Sequence, residues 1–164
     1  MSEHIFSNVK VGNMLLKNRI VMAPLTRSRC INNLPNDLVV QYYTQRAEAG
    51  LIITEGTSPS DNGLGYARIP GMYTTEHAHA WKKVTDSVHQ AGSRIFMQLM
   101  HCGRVAHPDN LPSGMEILAP SPIALTDGAM WTDKNGMQAY PIPEEMSESD
   151  IEATIQEYAH SAEL

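Results

Sequence analysis

Residues able to do chemistry follow an apolar run near the start of the chain. The run Ile20-Val21-Met22 is rich in β-branched residues and predicts a buried strand. Pro24 ends this strand, because proline has no N–H to donate within a sheet, and Thr26 presents a hydroxyl just beyond it. Parallel α/β proteins place binding and catalytic groups at such strand ends. The plainer alternative is a strand that simply runs into a turn.

Two further apolar runs end in a similar way. Leu51-Ile52-Ile53-Thr54 leads into Glu55-Gly56-Thr57. The run over 93–99 ends in Gln98-Leu99-Met100-His101. Both runs lack polar alternation, which is typical of strands buried on both faces of a parallel sheet. The sequence therefore predicts three strands with polar or small residues at their carboxyl ends.

Helical patterns separate these strands. The first predicted helix begins near Asn36-Asp37, two good N-caps, and ends at Gly50. The second ends at Gly92. Its apolar face comprises Trp81, Val84, Val88 and Ala91. Loops after strands are long and loops after helices are short, as in a (β/α) barrel whose working face is built from the loops after the strands.

The remaining segments surround this βα core. We expect a short hairpin within residues 5–17, with its turn at Gly12-Asn13. Residues 100–146 form a long lid-like loop, in which Asn135-Gly136 predicts a second hairpin. A last helix begins at Ser147, a good N-cap. Its apolar stripe comprises Ile151, Ile155, Ala159 and Ala162.

The number of βα units indicates whether the chain forms a complete barrel. A closed barrel needs eight strands and about 250 residues, whereas this chain offers three βα units in 164 residues. The last helix reaches Leu164 without a C-terminal cap. We therefore expect an incomplete polypeptide that needs a second half; the alternative is a small three-layer α/β domain, complete in itself.

Charge, apolar run length and cysteine content exclude several classes of function. The net charge of −6 argues against nucleic acid as a partner. No apolar run approaches membrane-spanning length, and the first residues lack the pattern of a signal peptide. Two cysteines, Cys30 and Cys102, could form one bridge, but free thiols are favoured. We expect a cytoplasmic protein that acts on a small molecule.

Other polar residues carry weaker signals. His101, Cys102 and His107 would suggest zinc, but a fourth ligand and regular spacing are missing, so we expect no metal. We expect His77 and His79 to be solvated helix positions. Arg104 either anchors the long loop or touches a ligand, and the sequence leaves both interpretations open.

Three segments at strand ends resemble a known family. They are Ile20-Val21-Met22-Ala23-Pro24-Leu25-Thr26-Arg27, Leu51-Ile52-Ile53-Thr54-Glu55-Gly56-Thr57 and Gln98-Leu99-Met100-His101-Cys102-Gly103-Arg104, with Gly65-Tyr66 and Pro70-Gly71 between the last two. In this order they closely resemble the N-terminal half of the old yellow enzyme family, the FMN-dependent ene-reductases. The resemblance covers essentially the whole chain.

The resemblance implies an eight-stranded TIM barrel that holds FMN non-covalently at its C-terminal mouth. Pro24, Leu25 and Thr26 would contact the flavin ring. The Thr26 hydroxyl would bond the flavin carbonyl near N5 and tune the redox potential, since that bond strengthens as negative charge builds on the ring. Gly56 would allow close approach because it lacks a Cβ. Gln98 would bond the pyrimidine edge through its donor and acceptor.

The resemblance also implies a substrate pocket. Thr26 and Tyr66 would line it above the flavin. Met100 stands where many relatives have tryptophan, and because methionine is flexible we expect a roomier pocket there. The family's donors to the substrate carbonyl, its proton-donating tyrosine and most of its phosphate-binding residues lie in the second half and have no counterpart in this sequence.

The implied activity is the reduction of an activated alkene, such as an enone, enal or nitroalkene. In a ping-pong reaction, NAD(P)H would pass a hydride to FMN N5, and the hydride would then reach the β-carbon of the alkene. The chain alone is expected to be inactive, with the C-terminal half of the barrel as its partner. Two alternatives stay open. One is a flavin reductase with an iron–sulfur cluster and cysteines beyond Leu164, and the other is a non-enzymatic module that binds through strand edges.

Overall fold

A computed structural model describes residues 2–164, with side chains described from His4 onwards. The helices of this part are α1 (Ser2–Ile5), α2 (Asp37–Thr44), α3 (Thr75–Gln90) and α4 (Glu148–Glu163). The strands are β1 (Val9–Val11), β2 (Met14–Leu16), β3 (Val21–Met22), β4 (Leu51–Thr57), β5 (Arg94–Leu99), β6 (Leu118–Ala119), β7 (Met130–Thr132), β8 (Gly136–Gln138) and β9 (Glu144–Glu145). No helix within these described residues is long and apolar enough to cross a membrane.

A parallel sheet of three strands organises the chain. Its order is β3-β4-β5, with α2 connecting the first pair and α3 the second. Val21 lies beside Leu51, and Leu51 lies beside Arg94, so the three strands start at the same level. The carboxyl ends of all three strands therefore meet at one edge, as the alternation of runs and helices predicts.

The main hydrophobic core lies between this sheet and helices α2 and α3. Its fully buried members include Val39, Tyr43, Ile52, Trp81, Val84 and Val88. Trp81 is buried and its indole N–H donates to the Gly71 carbonyl at 3.1 Å, so its polar atom is satisfied. Truncation of such a residue to alanine costs about 3–5 kcal/mol. This core fixes the strands against their helices and hence the positions of the strand ends.

The ends of the helices follow local chemistry, with one correction. The Asn36 side chain accepts from the Leu38 and Val39 N–H groups, as an N-cap does. However, α2 already ends at Thr44, so the prediction that Gly50 terminates it is wrong. The Gly50 N–H instead donates to Asn18 Oδ1 at 2.7 Å, and a Cβ there would collide with the Asn18 carbonyl. Close backbone approach, not helix termination, requires this glycine.

The hairpins expected from turn residues are present. β1 pairs with β2 around Gly12, at φ +57°, and β7 pairs with β8 through a turn that ends at Gly136, at φ +70°. The parallel pair of β6 with β9 has no periodic signal in the sequence and was not predicted.

Arg104 donates to the Ile123 carbonyl at 2.7 Å and to Ser121 Oγ at 2.9 Å, so it anchors the long loop over residues 100–146.

Helix α4 is attached at one face only. It begins with a capping box between Ser147 and Asp150. The Tyr158 hydroxyl accepts from the His101 N–H at 2.8 Å, at the end of β5. Ile151 and Ile155, of the predicted apolar stripe, are 48% and 54% exposed. The described residues thus leave an apolar helix face open to solvent.

Two sequence-based expectations about single residues have different outcomes. His77 was expected to be solvated, but it is buried, its ring packs on Tyr73 and its Nδ1 shares a hydrogen bond with the Thr74 hydroxyl at 2.7 Å. Both cysteines are free and buried, as favoured. Cys30 and Cys102 belong to separate hydrophobic clusters, which explains why they do not pair.

Candidate functional site at the carboxyl ends of the parallel strands

A β-bulge near the end of β4 shapes this edge of the sheet. Ile53 lies beside Phe96, but Gly56 lies beside Gln98, so β4 contains one residue more than β5 between these pairs. Such bulges redirect side chains and are common at barrel rims and active sites. The extra residue falls at Thr54-Glu55. It brings Gly56 directly beside Gln98.

Side chains satisfy the backbone groups that the bulge frees from the ladder. The Glu55 N–H donates to the Tyr43 hydroxyl at 2.7 Å. The Thr57 hydroxyl donates to the Glu55 carbonyl at 3.0 Å. The Thr54 hydroxyl accepts from the Gln98 N–H at 3.0 Å. The bulge is therefore built from specific polar contacts, and one of them holds the backbone of Gln98.

The Glu55 carboxylate lies beneath the loop that carries Thr26. Only 1% of Glu55 is exposed, and its Oε2 accepts from the Arg27 N–H at 2.9 Å. Its Oε1 has no hydrogen-bond partner among the described residues. Burial raises the pKa of this carboxyl, while the Arg27 N–H and guanidinium oppose the rise. This contact joins the residue after Thr26 to the residue before Gly56, so it ties the Thr26 loop to β4.

The polar side chains predicted for the site have free hydrogen-bonding capacity. Thr26 is exposed, and Leu25 is 55% exposed, whereas Pro24 and Gln98 are half-buried. Within residues 2–164, neither the Thr26 hydroxyl nor the Gln98 side-chain amide has a hydrogen-bond partner. The fold brings the loop after β3, the bulge of β4 and the end of β5 to one edge, and their donors and acceptors there are available.

Met100 and Tyr66 border the same edge. A Cβ at Gly56 would meet the terminal methyl of Met100 and would lie 2.7 Å from its sulfur. Both Met100 and Tyr66 pack on the second hydrophobic cluster, which contains Leu64 and Cys102. Burial raises the pKa of the Tyr66 hydroxyl, which favours its neutral form. Met100 therefore covers Gly56, which is buried, and packs on the same hydrophobic cluster as Tyr66.

A protein-family model matches almost the whole chain. The family model described as "NADH:flavin oxidoreductase / NADH oxidase family" matches residues 4–164. The chain belongs to this family. The resemblance seen in the sequence is therefore confirmed, and so is the α/β barrel class, of which this chain supplies a part.

Curated relatives include reductases from protozoa and plants. A probable flavin mononucleotide-dependent alkene reductase of Leishmania infantum is 39% identical over 156 residues, which cover 93% of this chain and 43% of the relative. The 12-oxophytodienoate reductase 7 of Oryza sativa subsp. japonica is 36% identical over 165 residues, which cover 96% of this chain and 41% of the relative. The chain thus spans about two fifths of their length.

Solved structures superpose closely on the chain. Morphinone reductase has a TM-score of 0.89 and 36% identity, over 96% of this chain and 43% of that one. An old yellow enzyme homologue from Zymomonas mobilis has a TM-score of 0.89 and 37% identity, over 96% of this chain and 44% of its own. The three-stranded sheet and its long loop are therefore a part of this known barrel architecture.

The residues at the edge fit a flavin by their chemistry. A flavin ring has a flat apolar body, and its pyrimidine edge offers both donors and acceptors. Thr26 and Gln98 have unused hydrogen-bonding capacity of both kinds. Gly56 is buried beneath the thioether of Met100, and because this side chain is flexible it could move aside to let a ring approach the backbone of β4.

Sequence reasoning overlooked the groups that hold this edge together. Glu55, Tyr43 and Thr54 were read only as strand end, helix face and strand, yet they make the contacts of the bulge. One signal was available, because a glutamate that directly follows a buried apolar run needs a partner. The partner, a backbone N–H in another loop, has no signature in the sequence.

Proposed function

We propose that the chain is part of an FMN-dependent NAD(P)H oxidoreductase that reduces activated alkenes such as enones, enals and nitroalkenes. The observation that carries the proposal is the edge itself. Gly56 lies beside Gln98, and the loop of Thr26 is bonded to the neighbouring residue Glu55. Membership of the flavin oxidoreductase family supports the cofactor, and the alkene reductase and the 12-oxophytodienoate reductase among the relatives support the substrate class.

Five residues would hold the flavin. The Thr26 hydroxyl would donate a hydrogen bond to the ring, and it is free to do so because no described residue accepts from it. The Gln98 amide would bond the pyrimidine edge with its donor and acceptor. Pro24 and Leu25 would pack against the ring, and Gly56 would permit close approach. When bound, FMN supplies hydride transfer from NAD(P)H to the alkene.

Three residues would shape the substrate side. Tyr66 would line the pocket, since it is half-buried and packs on the same hydrophobic cluster as Met100. Met100 would set the width of the pocket, and its three rotatable bonds would let it adapt to different alkenes. Thr26 would also border the substrate, because it lies in the loop after β3 and its side chain is exposed.

The other parts of the chain have proposed roles as well. Residues 100–146, with the hairpin β7-β8, would act as a lid over the site. The whole chain would be the N-terminal half of the barrel, and the C-terminal half would be its partner and would supply the groups that bind the substrate oxygen and donate the proton. A cytoplasmic location stays a prediction.

Binding of FMN tests the proposal. The chain is purified alone and also joined to the remaining part of the Zymomonas mobilis barrel, and FMN is titrated against both while its absorbance and fluorescence are followed. We expect the completed barrel to bind FMN and to oxidise NADH or NADPH when 2-cyclohexenone is added. Thr26→Val and Gln98→Leu should each weaken FMN binding roughly tenfold, as expected for a lost hydrogen bond.

Matched variants separate the site from general damage. Thr85→Val on α3 removes a hydroxyl that donates to the Lys82 carbonyl, and Gln90→Leu removes an exposed amide at the last residue of α3. Both should bind FMN like the unsubstituted protein. A folded completed barrel that does not bind FMN, or equal effects of all four substitutions, would contradict the proposal.

A further inference from the structure

We propose that Glu55 is a positioning residue for the flavin site, because its carboxylate holds the Thr26 loop through the Arg27 N–H. The inference rests on the proposed function for the purpose of the loop. The contact itself is a feature of the fold: Glu55 Oε2 accepts from the Arg27 N–H at 2.9 Å, across 28 residues of sequence.

The environment of Glu55 argues against a purely structural role. Burying a carboxylate is expensive, and an apolar residue of similar size usually packs a core at lower cost. Glu55 is 1% exposed and leaves its Oε1 without a partner among the described residues, so its ionised form is only partly compensated. A residue that is this unfavourable for packing is best explained by its contacts with the loop at Arg27 and Ser28.

The loop needs such an anchor. Ser28, next to Arg27, has φ +54°, a backbone conformation that is unfavourable for a residue with a side chain. The Arg27 guanidinium lies 5.0 Å from the ring centroid of Tyr42, so the Arg27 side chain packs against α2. Local preferences alone would therefore not keep this loop in place. The bond to Glu55 fixes the backbone next to Thr26.

The same bulge also holds the other flavin-facing residue. Thr54, adjacent to Glu55, accepts from the Gln98 N–H at 3.0 Å. The Tyr43 hydroxyl accepts from the Glu55 N–H at 2.7 Å and ties the bulge to the buried face of α2. Glu55 therefore connects the core of the protein to the loop of Thr26, while its neighbour fixes Gln98. The spacing of the two proposed flavin contacts depends on one short segment of β4.

Amide hydrogen exchange tests the contact without any flavin. In Glu55→Ala, the Arg27 N–H loses a charged acceptor, so we expect its exchange to accelerate roughly ten- to a hundredfold. Glu55→Gln keeps an acceptor oxygen and should restore most of the protection. Glu157→Gln on α4 is the matched control, since it also has a buried carboxyl oxygen without a partner. It should leave Arg27 unchanged. In Glu55→Ala the acceleration should be larger at Arg27 than at core amides such as that of Val84, which report only the change in global stability.

FMN affinity, measured on completed barrels that carry the same substitutions, tests the purpose of the contact. We expect Glu55→Ala to weaken FMN binding at least fivefold and Glu157→Gln to leave it within twofold. If Glu55→Ala does not fold, Glu55→Asp replaces it, because the shorter side chain does not reach the Arg27 N–H.

The outcomes separate the two proposals. Unchanged exchange at Arg27 would overturn the inference, whether or not FMN binds. Faster exchange at Arg27 with unchanged FMN affinity would overturn the positioning role. Faster exchange at Arg27 in a folded completed barrel that binds no FMN would support the contact and count against the proposed function.

Discussion

Replacing Gly56 by alanine tests whether β4 has room for a side chain at the proposed flavin edge. The new Cβ would meet the terminal methyl of Met100 and would lie 2.7 Å from its sulfur and 3.3 Å from its Cβ. Unstrained contacts between such atoms are about 3.5–4.0 Å. The end of the Met100 side chain must therefore move by about 1 Å. Because methionine has three rotatable bonds, we expect a cost at the lower end of the range for overpacking, about 1–2 kcal/mol.

A double-mutant cycle isolates the contact. Met100→Ala alone should cost about 1–2 kcal/mol, since the side chain is only partly buried. In the double variant the new methyl group enters the space that Met100 vacates. The combined loss should therefore be about 1 kcal/mol smaller than the sum of the single losses.

Urea unfolding at constant temperature provides the free energies for this cycle. Met137→Ala in place of Met100→Ala is the control, because Met137 is 60% exposed on the hairpin and far in sequence from β4. It should show no coupling to Gly56→Ala. Additive effects of Gly56→Ala and Met100→Ala within about 0.5 kcal/mol would refute the packing described here.

Three further predictions follow from contacts elsewhere in the fold. Gly50→Ala should destabilise the protein by about 3 kcal/mol or more in urea unfolding, because its Cβ would meet the rigid Asn18 carbonyl. At pH 7.5, Cys30 and Cys102 should resist iodoacetamide until the chain is unfolded, since burial raises both thiol pKa values, that of Cys102 to about 11; rapid alkylation of the native chain would contradict this. Glu55 should make unfolding pH-dependent: its folded pKa is raised, so stability falls as the pH rises from about 4.5 through that pKa, and Glu55→Gln should flatten this slope.

Much of the architecture could be predicted because it depends on local patterns. Unbroken apolar runs identified β3, β4 and β5, and caps such as Asn36 and Ser147 identified the starts of α2 and α4. Hairpin turns followed from Gly12 and Gly136. Each of these signals lies within a few residues of the feature it predicts.

Features that depend on distant residues were missed or misread. Gly50 looks like a helix terminator, yet its role is set by Asn18, 32 residues away. The pairing of β6 with β9 joins segments without any periodic pattern. His77 occupies a helix position that appears polar in sequence but faces Tyr73 and Thr74. Only the fold brings these partners together.

Some residues of the candidate site could also be predicted from the sequence, whereas others could not. The family motifs pointed to Thr26, Gly56 and Gln98, and the fold brings the segments that carry them to one edge of the sheet. The bulge at Thr54-Glu55 could not be predicted, because it appears only as a mismatch between the registers of two strands. The groups that hold a site in place are thus harder to find in a sequence than the groups that would contact its ligand.

Chemical-shift mapping with FMN tests the central claim most directly. The ¹⁵N-labelled chain, alone and completed to a full barrel, is titrated with FMN, and the backbone amide shifts are followed. We predict that the largest changes fall on Leu25, Thr26, Gly56 and Gln98. Changes confined to the exposed apolar face of α4, or no saturable change in a folded completed barrel, would contradict a flavin site at the carboxyl ends of these strands.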